Sequence, residues 1–371
     1  MAFAPLGSRR QRFLWWFAWA ALGIPGILAF RWTPGKAPKL PRDVPFILVA
    51  NHTSFFDPVW IAWWLFRRSS FMASAALFHL PVLSWLLPLC GCFPKAKFIK
   101  DRDSMRTLAE RYEAGDVIVL FPEGTRSFDG RIQPVMPGIG RLVKRLDARV
   151  VCARVLNGHL FHPRWARFPR WVPVRVDYDE PRTWGEDVTA AQITADIVAA
   201  ISVDPVDPPT GLFSAGIRMA EGLPDYLWAC PGCFEQEGLM AQGNSVRCHS
   251  CVGEWTLDTR NRMTGEQPMW VHEAFERITT HYGDAELSGR ATLLRRVKNK
   301  WVRVEEGEAS LTDEGLIVGS IRLELSELRG VSVEINSRLM FRRGDELLEL
   351  VPEGQSALKW AHFLRRRLAA L

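Results

Sequence analysis

Between residues 46 and 201, short unbroken apolar runs alternate with stretches of helical spacing, and this alternation narrows the folds open to the chain. Phe46–Ala50, Val117–Phe121, Val150–Leu156 and Val174–Tyr178 have the length and the Val, Ile and Leu content of buried strands. Ser104–Ala114, Gly138–Leu146 and Ala190–Ile201 have the spacing of helices, the first stopped by Gly115. A helix carrying Val59, Ile61, Trp63, Trp64 and Phe66 is expected after the first strand. Strands that alternate with helices give an α/β fold, a central sheet flanked by helices. Leu77–Leu89 is apolar almost throughout, punctuated by Pro81 and Pro88, and reads either as a buried helix or as a membrane-facing surface.

The chain has 371 residues, enough for two or more domains. Asp204-Pro205-Val206-Asp207-Pro208-Pro209-Thr210-Gly211 is a linker by composition. Beyond it the pattern turns to short strand-like runs, among them Glu308–Val318, Ile321–Leu325, Gly330–Ile335 and Leu347–Val351. An amphipathic helix with Trp360 and Phe363, Ser356–Leu368, closes the chain. The expected organisation is therefore an N-terminal segment over 1–42, an α/β domain over 43–204 and a linker over 205–225. A small cysteine-bearing ribbon over 226–262 and a β-rich domain over 263–371 complete it.

A net charge of +6 is modest for this length, so nucleic acid is not an expected partner. Its distribution says more. Arg9, Arg10 and Arg12 precede the uncharged run Phe13–Phe30, and Arg31, Lys36, Lys39 and Arg42 follow it. Of sixteen Trp, half lie before residue 86, and Trp beside apolar stretches and flanking cations is the composition of a membrane interface. As a straight helix the run would be about 27 Å long, close to the thickness of a bilayer core. Gly23, Pro25 and Gly26 interrupt it, so a hairpin dipping into one leaflet competes with a single span. Either form predicts membrane association. Cys90, Cys92 and Cys152 sit in apolar context as small core residues, which suits a reducing compartment.

Two strings carry the chemistry. Asn51-His52-Thr53-Ser54-Phe55-Phe56-Asp57 offers an imidazole and a carboxylate, and Phe121-Pro122-Glu123-Gly124-Thr125-Arg126-Ser127 offers an acid, hydroxyls and a guanidinium around a glycine. On a regular helix, side chains five apart point about 140° away from each other. His52 and Asp57 meet only if His52 lies in a loop and Asp57 in the first helical turn. Ser54 then fits the N-cap, with Asp57 as the acidic partner of a capping box. Pro58 fits that register less well, which shifts the expected helix start a residue or two later. A neutral His removes a proton from a hydroxyl, and a carboxylate on its other nitrogen fixes the tautomer. In the second string Gly124 permits a sharp turn, Thr125 and Ser127 supply hydroxyls, and Arg126 presents a fork for phosphate or carboxylate. Glu123 either orients that Arg or accepts from a substrate hydroxyl.

Together the strings resemble the glycerolipid acyltransferases that include 1-acylglycerol-3-phosphate acyltransferase, over roughly residues 40–204. The family carries a His-x4-Asp motif, here His52 to Asp57, and a Pro-Glu-Gly-Thr-Arg block, here Pro122 to Arg126. The resemblance implies that His52 is the general base and that Asp57 supports it, with Glu123, Gly124, Thr125 and Arg126 binding the glycerol phosphate. It further implies direct transfer of a fatty acyl group from acyl-CoA or acyl-carrier protein to a lysophospholipid hydroxyl, giving phosphatidic acid. That chemistry calls for no metal, and it places the active site on the cytoplasmic face of a membrane. The family also has a Gly followed six residues later by a phosphate-binding Arg. Here Gly91 is followed by Lys97, and Lys95 and Arg102 are the alternates. The Pro common in the family's later strand is missing from Val151-Cys152-Ala153. Two other readings are another lysolipid or amino-lipid hydroxyl as acceptor, and a non-catalytic adaptor that binds membrane lipid. The basic and aromatic stretch from Arg154 to Arg175 reads either as a surface for anionic headgroups or as a solvated loop.

In the second half, Cys230-Pro231-Gly232-Cys233 and Cys248-His249-Ser250-Cys251 form two Cys-x2-Cys knuckles separated by fourteen residues. That spacing suits a structural zinc held by four thiolates, with His249 a bystander. The strands after about residue 285, closed by a Trp-bearing helix, look like a pleckstrin-homology-like domain.

Overall fold

The computed structural model describes residues 13, 17, 20, 21, 24, 25, 39–41, 44–62, 65, 68–79, 81–95, 102–136, 138–205, 214–265, 267–297, 300–334 and 337–371. Most of the membrane-seeking run 13–30 and residues 206–213 of the linker lie outside these residues, as do Trp63, Trp64, Phe66 and Lys97. No helix of the described residues is long and apolar enough to cross a membrane. The chain divides into two units, Met1–Arg164 with Pro169–Ala215, and Trp165–Phe168 with Gly216–Leu371.

The first unit is built on a six-stranded sheet in the order β3-β2-β4-β1-β5-β6. The strands are β1 (Phe46–Ala50), β2 (Ser69–Ser74), β3 (Cys92–Lys95), β4 (Val117–Leu120), β5 (Val150–Leu156) and β6 (Arg175–Tyr178). All neighbours run parallel except β6, which is antiparallel to β5. Every residue of β1 and β4 is buried, as expected of central parallel strands covered on both faces. Their alternate side chains feed two cores. Phe46, Leu48, Ala50, Val117 and Val119 pack with Trp60 and Ile61 of α1 (Asp57–Ala62). Ile47, Val49, Ile118 and Leu120 face the other way. They pack with Leu108 of α3 (Arg102–Glu113), Val143 of α4 (Gly138–Leu146), and Ile193 and Ile197 of α6 (Ala190–Ile201).

Local chemistry sets the helix ends. A reciprocal capping box between Thr189 and Gln192 starts α6, whose buried face repeats at Ile193, Ile197 and Ile201. Helices α4 and α6 approach so closely that a Cβ at Gly140 would lie 1.9 Å from the Ala190 carbonyl oxygen. Helix α2 (Pro81–Leu89) is not the buried helix that Leu77–Leu89 allowed: none of its residues is fully buried, and Val82 and Trp85 are 70% and 68% exposed. A short helix α5 (Gly158–Phe161) follows β5.

The second unit begins with α7 (Leu223–Tyr226) and an antiparallel five-stranded sheet. Its strands are β7 (Leu239–Gln242), β8 (Ser245–Cys248), β9 (Glu254–Leu257), β10 (Arg262–Gly265) and β11 (Met269–Trp270), and α8 (Val271–Tyr282) follows. Seven antiparallel strands come next: β12 (Leu287–Val297), β13 (Lys300–Leu311), β14 (Gly315–Val318), β15 (Ile321–Glu324), β16 (Leu328–Glu334), β17 (Arg338–Arg343) and β18 (Glu346–Pro352). Their order is β15-β14-β13-β12-β18-β17-β16. Helix α9 (Ala357–Ala370) packs on β16 and β17 and fully buries Trp360 and Phe363. The run Glu308–Val318, expected as one strand, is two. The chain reverses at Thr312–Gly315, where the Thr312 N–H donates to the Gly315 carbonyl at 3.0 Å, and β13 then pairs with β14.

Candidate active site

Strands β1 and β4 are neighbours, paired from Phe46 with Val117 through Val49 with Leu120. Both expected strings leave the sheet at the C-terminal ends of this pair, where open α/β sheets bind ligands. The loops are joined through the backbone of His52. Its N–H donates to Glu123 Oε1 at 2.6 Å, and its carbonyl accepts from the Ser127 N–H at 2.8 Å. Asn51 ties the same loop to β5, since its side-chain amide donates to the Val155 carbonyl at 3.1 Å and accepts from the Val155 N–H at 2.7 Å. His52 is thus held from both sides before its side chain does anything.

The imidazole Nδ1 lies 2.8 Å from Asp57 Oδ2, and the ring stacks on Phe121 at a centroid distance of 4.2 Å. Asp57 is fully buried. Its Oδ2 also accepts from the Thr53 N–H at 2.6 Å and the Ser54 N–H at 2.8 Å, and its Oδ1 accepts from the Thr53 hydroxyl at 3.2 Å. The acceptor oxygen of Asp57 on Nδ1 keeps the proton of neutral His52 on that nitrogen and the lone pair on Nε2. The helix begins at Asp57, so Pro58 falls in the first turn, where a missing N–H costs nothing. The capping box forms by half. Asp57 reaches back to the Ser54 N–H, but the Ser54 hydroxyl accepts from Phe56 at 3.3 Å instead of from Asp57.

Burial is the main force holding His52 below its ordinary value of 6.5. Asp57 opposes it through its hydrogen bond and charge, while Arg126 and Arg164 add to the lowering. The imidazole is therefore neutral at neutral pH, as a general base must be.

Glu123 differs from either role read for it. Oε1 is taken by the His52 N–H, and Oε2 accepts from the Gln133 N–H at 2.7 Å. With 6% of its surface exposed, this carboxyl braces two loops. Burial pushes it up to about 8, against the pull of its two backbone donors. Gly124 adopts φ +66, the left-handed conformation that turns the loop, and a Cβ there would meet the Met136 side chain at 3.1 Å. The Thr125 hydroxyl accepts from Arg164 Nη1 at 2.7 Å, and the Arg126 side chain is half-buried.

The expected third anion contact divides differently. Lys97 lies outside the described residues. Lys95 is half-buried at the end of β3 and Arg102 is exposed at the start of α3. Among the described residues, no hydrogen bond or ion pair joins either one to the Glu123–Arg126 loop. The cation that does reach the loop is Arg164, from the stretch read as a headgroup surface or solvated loop. That stretch is neither at its centre: Arg164, Trp165 and Arg170 are 8%, 2% and 1% exposed. Five Arg occupy positions 154 to 175, and residue type does not tell which of them turns inward.

Cys90, Cys92 and Cys152 are buried thiols of the first unit. In the second unit Cys230, Cys233, Cys248 and Cys251 come together, with all four Sγ atoms within 4.8 Å of one another. The Cys230–Cys251 and Cys233–Cys248 sulfur separations are 3.8 and 3.7 Å. A tetrahedron with Zn–S bonds of about 2.3 Å has edges of about 3.8 Å, so the donor set and its size fit zinc. His249 stays outside, with its Nδ1 2.9 Å from the Ser250 hydroxyl.

Residues 35–155 match the family model described as Acyltransferase. A chloroplastic 1-acyl-sn-glycerol-3-phosphate acyltransferase of Brassica napus is 30% identical over 111 residues, covering 29% of this chain and 32% of that protein. A 1-acyl-sn-glycerol-3-phosphate acyltransferase of Streptococcus pneumoniae is 31% identical over 96 residues, covering 24% and 34%. The chain thus spans about a third to a half of the length of the curated relatives it matches. The crystal structure of the 1-acyl-sn-glycerophosphate acyltransferase of Thermotoga maritima aligns with a TM-score of 0.43 at 19% identity, covering 53% of this chain and 81% of that one. His52, Asp57 and the Glu123–Arg126 loop, assembled at the C-terminal ends of β1 and β4, lie inside residues 35–155, the segment that matches the acyltransferase family model.

Proposed function

We propose that the chain transfers a fatty acyl group from an acyl thioester to the free hydroxyl of 1-acylglycerol-3-phosphate, giving phosphatidic acid. The observation that carries this reading is the His52 imidazole, bonded to a buried Asp57 through Nδ1 and fixed through its own backbone to the loop that presents Arg126. Nε2 takes the proton of the acceptor hydroxyl as its oxygen attacks the thioester carbonyl carbon. The tetrahedral intermediate collapses, the C–S bond breaks, and the imidazolium returns its proton to the departing thiolate. Asp57 stabilises the imidazolium between these steps. Arg126 carries the positive charge for the acceptor phosphate, and Glu123 keeps its loop in register with His52. The names of the similar proteins support this acceptor. The donor is acyl-CoA or acyl-carrier protein.

The reaction takes place at the cytoplasmic face of a membrane. Helix α2, apolar yet without a fully buried residue, and the run Phe13–Phe30 support membrane contact. All seven cysteines are free, in keeping with a reducing compartment. In the second unit the four-cysteine set holds a structural zinc, whose part is to fix the two knuckles, and the strands closed by α9 act as a pleckstrin-homology-like module.

The test is acyl transfer by purified protein in mixed micelles, with labelled acyl-CoA and a panel of lyso-acceptors. Lysophosphatidic acid should be preferred, and His52→Ala should be inactive. Equal rates for the wild type and His52→Ala would sink the catalytic assignment, and a preference for a phosphate-free acceptor would sink the substrate.

A further inference from the structure

The loop that presents Arg126 does not hold its own shape. Its backbone crosses from Gly124, at φ +66, to Ser127, whose N–H is spent on the His52 carbonyl. Between these points, the Thr125 hydroxyl and the Arg126 carbonyl both accept from one nitrogen, Arg164 Nη1, at 2.7 and 2.8 Å. The same guanidinium lies over the Phe128 ring, 4.3 Å from its centroid, and Arg164 is 8% exposed. A planar cation that serves two acceptors while stacking on an aromatic face does what neither Lys nor Gln can do at once. Both acceptors on Nη1 are neutral groups, and the Arg164 charge acts together with that of Arg126 on His52.

We propose that Arg164 is the positioning residue of the acceptor-phosphate site. It sets the Thr125–Arg126 backbone so that Arg126 meets the phosphate, and it supplies the second positive charge that the sequence pattern assigns to Lys97, with Lys95 and Arg102 as alternates. The inference rests on the acyltransferase reading above. It adds a residue that lies outside the segment matched by the family model, which ends at 155. It also explains why the Thr125 side chain points inward: its hydroxyl is part of the frame and does not contact substrate.

Two variants separate shape from charge. Arg164→Lys keeps the charge and loses the double donation and the ring contact; Arg164→Gln keeps a donor and loses the charge. Each is assayed for kcat, for KM of lysophosphatidic acid and of acyl-CoA separately, and for binding of lysophosphatidic acid without a donor. For Arg164→Gln, acceptor KM and Kd should rise about 10- to 100-fold, the loss expected for one charge-assisted contact. The acyl-CoA KM should stay within about twofold, as no phosphate-loop contact is lost on that side. Arg164→Lys should recover part of the acceptor affinity. Unchanged acceptor KM and Kd in Arg164→Gln, or equal rises in both KM values, would overturn the proposal.

A substrate-free readout keeps the two readings apart. The groups facing the His52 ring are the Asp57 carboxylate from α1, Phe121 and the Glu123 carboxyl from the end of β4, and the cations Arg126 and Arg164. In ring-labelled protein followed by NMR, the His52 midpoint should move up in Arg164→Gln and return in Arg164→Lys. An unmoved midpoint in Arg164→Gln overturns Arg164's part whatever the activity. If instead the wild type acylates no acceptor while the midpoint moves as stated, the acyltransferase reading fails and the placement of Arg164 stands.

Discussion

The His52 site and the four-cysteine cluster are both convergent sets of side chains, yet they are assembled over very different lengths of chain. Cys230, Cys233, Cys248 and Cys251 come from two knuckles joined by a short hairpin, β7 to β8, so closing the set needs little beyond local structure. The His52 site draws on residues 52, 57, 123, 126, 133 and 164, and the parallel pairing of β1 with both β4 and β5 brings them together. One site would depend on a bound zinc for its shape. The other depends on backbone hydrogen bonds between loops set by a buried sheet.

The comparison breaks most visibly on metal removal. Zinc binding in small four-ligand modules is worth about 10–16 kcal/mol, so chelation should unfold the Cys230–Cys251 region while the sheet around β1 stays protected. Metal analysis together with hydrogen exchange checks this, and equal loss of protection around β1 would show that the two are not independent. His52→Ala should do the reverse. We expect about 10²- to 10⁴-fold lower acyl transfer, with metal content and thermal stability nearly unchanged. In the wild type, kcat/KM should fall on acidification with a midpoint below 6.5. The folded environment lowers the His52 pKa, so the neutral base persists until pH drops through that lowered value.

Glu123→Gln should come next in size. The amide carries one acceptor where two backbone N–H groups need one each, so His52 or Gln133 loses a partner, at about 1–3 kcal/mol of stability. The pH dependence has a definite sign. Glu123 is raised from 4.5 to about 8 in the folded chain, so its proton-linked contribution is fully present below 4.5 and is lost as pH rises through 8. Melting temperatures of the wild type and Glu123→Gln, compared across that range, should converge toward high pH. The smallest effect is expected for Gly124→Ala, about 1–2 kcal/mol for a Cβ at φ +66, some of it relieved as the flexible Met136 side chain moves away. Activity should fall more than stability, since Arg126 sits two residues on.

Much of this was legible beforehand where the signal is local. The runs Phe46–Ala50, Gly138–Leu146, Val150–Leu156 and Ala190–Ile201 occur as strands and helices with those bounds, because each is an unbroken apolar or i,i+4 pattern with a clear stop. Glu308–Val318 misled because its strand-forming residues continue through a turn marked only by Thr312-Asp313-Glu314-Gly315. The His52–Asp57 pair was readable since a loop followed by a first helical turn brings positions five apart together.

The sequence by itself determined the α/β alternation, the His52–Asp57 pair, the turn at Gly124 and the four-cysteine set, all of which follow from residue types at short spacing. Tertiary structure alone decided that Glu123 braces loops and that Arg164 enters the site. The Glu123 partners are backbone N–H groups, which every residue but proline possesses, so no side-chain pattern announces them. Arg164 is one of several arginines in its stretch, and what selects it is burial against Phe128 and two loop acceptors, a property of the folded chain.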